Sequence, residues 1–316
     1  MDPRDGREKA RSAEAERFDP PCLRVEILEA RPLPRGALLE RLQEALGGDA
    51  AALARMLHHR ALQIGGRVVG GDDLPERVAP GTRIVGWALL REPEPIALRA
   101  SDLLLDEDGV VAVSKPAWLP VQGTRASQRF SLEETVRQAL RAPELRAVHR
   151  LDRETSGVVL FARDQGATRF LGASLARREI RRRYLAAVSP GPARSAFTVE
   201  GHLARRLDPR RFRFVLLPSP EPGSRTSRTH FVVRCARGSR ALVEAEPETG
   251  RTHQIRVHLA AAGSPILGDR SYGGEDSVSR TLLHAWQMTL RLPSGAGRFL
   301  EASLPEDLSR VFPRDA

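Results

Sequence analysis

Cysteine is scarce: Cys22 and Cys235 are the only two in 316 residues, too few for a disulfide framework or a four-cysteine zinc site. Long apolar runs are missing as well. The longest stretch free of Asp, Glu, Lys and Arg is Val257–Gly268, twelve residues interrupted by Pro265. A membrane-spanning helix needs about 20. The N-terminus, MDPRDGREKARSAEAER, is charged throughout and lacks the apolar core of a signal peptide. These absences predict a cytoplasmic protein with no membrane partner. Neither a GxxxxGK[ST] phosphate loop nor a GxGxxG fingerprint occurs, which argues against a nucleotide-dependent enzyme. No His, Cys, Asp or Glu set has the spacing of a metal-dependent hydrolase, so no metal site is expected.

Lysine is almost absent too. Only Lys9 and Lys115 occur among 50 basic residues, the rest being arginine. A base-composition bias accounts for that ratio, but not for the net charge of +10. A strongly basic soluble chain attracts polyanions, and nucleic acid is the commonest in the cytoplasm. With 41% hydrophobic and 28% charged residues the chain has enough apolar mass for a core, which excludes a wholly disordered protein.

The spacing of apolar and breaking residues predicts how the chain is organised. Residues 1–24 read as a disordered tail and 25–92 as a small α/β module. Within the module, Leu38, Leu39, Leu42 and Leu46 repeat with helical period and stop at Gly47-Gly48. Asp49 is placed to cap a second helix carrying Leu53, Met56 and Leu57, and ALQIGGRVVGG reads as a hairpin. Residues 93–102, with Pro93 and Pro95, read as a linker, and 103–316 as a larger domain. Short strands and helices mix there without strict alternation, which predicts an α+β fold with a largely antiparallel sheet.

Four segments of the larger domain carry polar residues beside apolar strands: VVAVSKPAWLPVQG, HRLDRETSG, RRRYLAAV, and TGRTHQIRVHLAAAGSPILGD followed by RTLLHAW. Asp152 lies in a polar loop just before the apolar run Val158–Ala162, with Arg150 and Arg153 on either side. A carboxylate so placed is available as a nucleophile or base, or for a plain loop ion pair. In the fourth segment Thr252 can cap a helix whose stripe is Ile255, Leu259 and Ala262, with Gly263 closing it. Arg256 then projects from a rigid element. His253 and His258 are about 140° apart on that helix, and the adjacent His58 and His59 point to different sides of theirs, so neither pair reads as metal ligands. His149 and His284 read as hydrogen-bonded structural histidines rather than ligands.

These four segments, in this order, resemble the RluA family of RNA pseudouridine synthases over about residues 103–292, and HRLDRETSG resembles its signature. The helix–helix–hairpin module with ARMLHHRALQI and GGRVV resembles the S4-like (alpha-L) RNA-binding domain. The resemblance implies a pseudouridine synthase fold with a largely antiparallel mixed sheet and a central catalytic cleft, preceded by the small RNA-binding module. It implies isomerisation of uridine in structured RNA without cofactor or metal, by a chain expected to be monomeric. Asp152 matches the catalytic aspartate, Tyr184 the tyrosine that stacks on the target base, and Arg256 the arginine that pairs with the aspartate. Arg150 resembles the residue that fills the stack when the base is flipped out. Further RNA contacts are expected from His149, Arg153, Thr155, Arg181, Arg183, Arg251 and His253, and from Arg55 and Arg60 in the small module. The runs Arg177–Arg183 and His202–Phe214, each net +4, are expected to meet phosphates. Two positions depart from the family pattern: Trp118 stands where glycine is common, and Ser264 where histidine is frequent. Large-subunit ribosomal RNA is the expected target, with transfer RNA and a non-catalytic RNA-binding or ribosome-assembly role as alternatives.

Overall fold

A computed structural model describes residues 21–207, 212–275 and 277–312. The chain divides into two units, one of residues up to Ala97 together with Trp118–Pro143, the other of Leu98–Ala117 and Glu144 onward.

The first unit contains β1 (Cys22–Leu28), β2 (Leu33–Pro34), α1 (Arg35–Ala45), α2 (Ala50–His58), β3 (Leu62–Ile64), β4 (Arg67–Val69), β5 (Arg77–Val78) and β6 (Arg83–Leu89). The order helix, helix, hairpin is the one the apolar periodicity predicts. Asp49 does cap α2, accepting a hydrogen bond from Ala52 N at 2.9 Å. The expected tail is too long at its C-terminal end, because Cys22–Arg24 pair with Trp87–Leu89 as the first residues of β1. The remainder of that tail, residues 1–20, lies outside the described residues. A four-stranded antiparallel sheet, β1-β6-β3-β4, covers a core built on Leu38, Leu42, Met56, Leu62 and Ile84.

Residues 118–143 were expected within the 103–316 domain, but they group with the N-terminal residues. Gln128 N donates to His59 O at 2.8 Å, Ser127 Oγ bonds His59 Nδ1 at 2.7 Å, and the Arg125 guanidinium lies over Trp87. This segment carries α3 (Leu132–Ala139), capped by Ser131. Trp118 takes φ 70°. That left-handed conformation costs a side chain roughly 1–2 kcal/mol and is free for glycine. Burial of the indole, 6% exposed, offsets the cost.

The second unit is built on one large sheet. Its strands are β7 (Leu103–Glu107), β8 (Val110–Lys115), β9 (Arg146–Ala147), β10 (Ser156–Ala162), β11 (Arg181–Val188), β12 (Ala196–Leu207), β13 (Phe212–Leu217), β14 (Arg225–Arg237), β15 (Arg240–Pro247), β16 (Leu283–Arg291) and β17 (Gly297–Glu301). The order is β13-β12-β14-β15-β11-β16-β10-β8-β7, with β9 on β10 and β17 on β16. Every pairing among the described residues is antiparallel except β10 with β16. The result is the α+β fold with a largely antiparallel mixed sheet. Helices α4 (Gln165–Ala176), α5 (Gln254–Ala261) and α6 (Glu306–Val311) flank it.

β10 is buried along its whole length, as its uninterrupted apolar run predicts. Val158, Leu160 and Ala162 face a core shared with Ala167 and Leu171 of α4, whose N-cap is Asp164. Gly157 is where β10 meets β16. It sits at φ 112°, and a Cβ there would lie 2.1 Å from Ala285 O, so only glycine allows the approach.

Candidate active site

Residues carried on or beside four neighbouring strands converge on one open cleft. Asp152 arrives from the loop that leads into β10, Tyr184 from β11, Leu283 from β16, and Thr249–Arg256 from the loop and helix after β15. The loop holding Asp152 is a tight turn closed by Thr155 N donating to Asp152 O at 3.1 Å. Three buried groups hold the loop from behind. Lys115 Nζ donates to Arg153 O at 3.0 Å and to Pro116 O at 2.9 Å. Arg280 Nη1 donates to Glu154 O at 2.9 Å, and Thr281 Oγ1 donates to Glu154 Oε2 at 2.7 Å. Burial pushes the Lys115 pKa far down, and the Arg280 charge adds to that.

Arg256 is the hub. Its Nη1 donates to Asp152 Oδ2 at 2.8 Å, while Nε and Nη2 grip Asp269 at 2.7 and 2.9 Å. Burial works against the charge on Arg256, but its bonds to Asp269 and Asp152 outweigh burial, and its pKa is raised. Asp269 is fully buried and also accepts from Ser271 N at 3.1 Å. A bidentate guanidinium–carboxylate pair has one planar geometry, so Asp269 aims the third nitrogen of Arg256 at Asp152. The Tyr272 ring lies 5.1 Å from that guanidinium.

The turn ahead of α5 is pinned by Gln254. Its Oε1 accepts from Thr249 Oγ1 at 2.7 Å and Arg251 N at 3.0 Å, and its Nε2 donates to Arg228 O and Thr229 Oγ1, both at 3.0 Å. The helix therefore does not start as expected. His253, not Thr252, is its N-cap residue, at φ 57° and without a side-chain cap bond, because Gln254 satisfies the turn instead. His253 Nδ1 bonds Tyr272 Oη at 2.8 Å, and Tyr272 Oη accepts from Phe214 N at 3.1 Å. The other ring nitrogen lies 3.7 Å from Asp152 Oδ2. Burial lowers the His253 pKa, so the imidazole is neutral near pH 7. Tyr184 is buried, which raises its pKa and keeps the phenol protonated.

Of the residues expected to contact RNA, Arg150, Thr155, Arg251 and His253 line the cleft with Asp152, Tyr184 and Arg256. Arg181 and Arg183 do not. Strand alternation puts Arg182 on the face of Tyr184, and Arg182 lines the cleft in their place. Arg183 turns toward Glu244 and Glu246, each at 3.6 Å, and Arg181 is exposed. His149 spends its Nε2 accepting from Leu160 N at 3.0 Å, and burial lowers its pKa to about 3. Arg153 is a partly buried loop residue whose carbonyl receives Lys115. In the other unit, Arg55 donates to Leu89 O and Leu90 O at 2.8 and 3.0 Å, and Arg60 pairs with Asp73 at 2.8 Å. Much of the two basic runs is also bonded within the chain: Arg177 to Glu179, Arg206 to Glu221 and Arg213 to Ser271 O. Residues 208–211 of the second run lie outside the described residues.

Asp269 was not anticipated, and Arg182 only as one member of the run Arg177–Arg183 expected to meet phosphates. A carboxylate ending the apolar stretch SPILGD was the available signal for Asp269, and the period of two counted back from Tyr184 was the signal for Arg182. Elsewhere, His258 Nε2 bonds Ser227 Oγ at 2.9 Å, and His284 Nδ1 bonds Ser156 Oγ at 2.9 Å, which makes both structural. The expected divergence of His58 and His59 fails because α2 ends at His58. Their rings lie 5.1 Å apart, and their ligand atoms and one of Glu92 fall within 4.8 Å of one another. Both His59 nitrogens are engaged, by Ser127 and Glu92, each at 2.7 Å.

Residues 109–261 match the family described as RNA pseudouridylate synthase. A protein of Chloroflexus aurantiacus, an uncharacterized RNA pseudouridine synthase, is 33% identical over 91% of this chain and 95% of its own length. Ribosomal large subunit pseudouridine synthase D of Xanthomonas campestris is 34% identical over 70% of each chain. Among solved structures, human RNA pseudouridylate synthase domain containing 4 superposes with a TM-score of 0.54 at 27% identity, over 66% of this chain and 90% of that one.

Proposed function

Because this chain belongs to the RNA pseudouridylate synthase family, we propose that Asp152 is its catalytic aspartate and the cleft its uridine site. The observation that carries this reading is the chain Asp269–Arg256–Asp152, a buried relay that ends on one carboxylate at the mouth of the cleft. The reaction breaks the N1–C1′ bond of uridine, turns the base, forms a C5–C1′ bond, and exchanges the C5 proton for one on N1. Asp152 serves it by adding to the uracil ring or by assisting departure of the base from the sugar. Arg256 pairs with the carboxylate and aims it. Tyr184 stacks on the base with its buried phenol protonated. Arg150, exposed at the rim, takes the vacated stacking position once the base is flipped.

The finer assignment is to the RluA subfamily, with large-subunit ribosomal RNA as substrate. Its supports are the ordered motifs and the similarity to ribosomal large subunit pseudouridine synthase D of Xanthomonas campestris. The unit of β1–β6 and α1–α2 acts in this reading as an S4-like RNA-binding module of a monomeric, cytoplasmic enzyme. No helix among the described residues is long and apolar enough to cross a membrane.

The test is pseudouridine mapping across cellular RNA with the gene present, deleted, and restored as wild type or Asp152→Asn. Loss of discrete ribosomal sites, restored by wild type alone, is the expected result. Lost sites in transfer RNA would redirect the substrate. Restoration by Asp152→Asn would remove that residue from the chemistry.

A further inference from the structure

We infer that Arg182 is the anion-gripping residue of the cleft, holding a phosphodiester oxygen next to the uridine drawn into it. This rests on the pseudouridine synthase reading of the same cleft.

Of the other arginines lining the cleft, Arg150 is exposed at the rim and the remaining two carry bonds within the chain. Arg256 is held by Asp269 and Asp152, and Arg251 Nε donates to Thr226 O at 3.2 Å. Arg182 differs. Its Nε is shut away from solvent with no hydrogen-bond partner, and no carboxylate among the described residues pairs with its guanidinium. The next residue on the strand, Arg183, has two glutamates within reach, so acidic groups are near the strand but on its other face. A partly buried cation without a partner is costly unless a ligand supplies the missing acceptor. Its charge is felt by its neighbours. After burial, Arg182 is the largest influence on both Tyr184 and His149.

The guanidinium tip lies against the turn at Gly250, where an added Cβ would come within 3.1 Å of Nη1 and 3.5 Å of Nη2. The absence of a side chain there leaves the tip its place at the cleft wall. A planar fork with free donors matches phosphate oxygens, and every flipped nucleotide carries a phosphate on each side. A carbonyl oxygen of the base is the competing acceptor. It is uncharged, so it releases no counterion on binding, and salt separates the two.

The experiment titrates a fluorescently labelled single-stranded oligouridylate against the full chain across a salt series, for wild type, Arg182→Gln and Gly250→Ala. Thermal melting checks that each variant is folded. Losing one phosphate contact lowers the slope of log affinity against log salt by about 0.7 on single strands. Arg182→Gln is expected to weaken binding about tenfold and to lower the slope by about that amount. Gly250→Ala, which only displaces the guanidinium, is expected to move both quantities in the same direction. An unchanged slope with weakened binding would assign Arg182 to the base and overturn the proposal, and unchanged affinity in both variants would overturn it outright. Conversion of uridine by the wild-type chain is assayed separately, so a failure of the enzymatic reading is recognised independently of the slopes.

Discussion

Arg256 holds two carboxylates with one guanidinium, and the two differ in kind. Asp269 is sealed in the interior and bidentate, whereas Asp152 is partly exposed and takes a single bond. Removing one partner of a buried pair leaves the other charge uncompensated, at a cost of about 3–5 kcal/mol. Asp269→Asn is therefore expected to lower unfolding stability by about that much, read from urea midpoints. It should also cut turnover by at least about tenfold while RNA affinity holds, because it misaims the arginine rather than removing it. Turnover equal to wild type would show that Asp152 is positioned without Asp269.

Two buried histidines set a pH limit. Burial lowers the pKa of His258 and His284 to about 4, against 6.5 for a free imidazole. Between those values the unfolded chain binds more protons than the folded one, so stability is full above about pH 6.5 and falls as pH drops toward 4. The expected loss is on the order of 2 kcal/mol per histidine by about pH 5. Equal urea midpoints at about pH 7.5 and pH 5 would contradict it. In the sequence, His284 reads as a hydrogen-bonded structural histidine, and helical spacing serves only to keep His258 from acting as a metal ligand. Arg181 and Arg183 show the converse: charge density pointed to the segment, and only the strand's two faces decided which arginine enters the cleft.

At the level of elements, helices and strands followed local signals closely. Asp49 and Asp164 cap the helices they precede, and the apolar run at β10 is buried on both faces. The start of α5 is the exception, because a side chain within the helix, Gln254, outcompeted the expected cap by bonding across to β14. Gly157 ties element to site, since the parallel contact of β10 with β16 places the loop of Asp152 beside Leu283. Gly157→Ala is expected to cost about 3 kcal/mol or more, because both the positive φ and the approach of Ala285 O must give way. Activity should be lost in parallel. An unchanged urea midpoint would show that the two strands can part without penalty.

For the whole molecule, the segment 118–143 matters most. It follows β8 in sequence but bonds to His59 and places Arg125 over the Trp87 ring in the N-terminal unit. A fragment beginning at Leu98 therefore keeps the segment and loses what it packs on. It is expected to melt at lower temperature than the full chain and to bind a hydrophobic dye. Melting equal to that of the full chain would mean the segment stands alone.

By itself the sequence pointed to the RNA pseudouridine synthase family, to most helix and strand positions, to the α+β class, and to Asp152, Tyr184 and Arg256, which line one cleft, because ordered motifs, caps and apolar periods are local properties of the chain. Only the tertiary structure decided that Asp269 aims Arg256, that Arg182 rather than its neighbours enters the cleft, and that 118–143 leaves the domain it is threaded through. Those depend on which distant groups meet. Arg256 and Asp152 stand 104 residues apart, and burial leaves the polar groups between them few alternatives to one another.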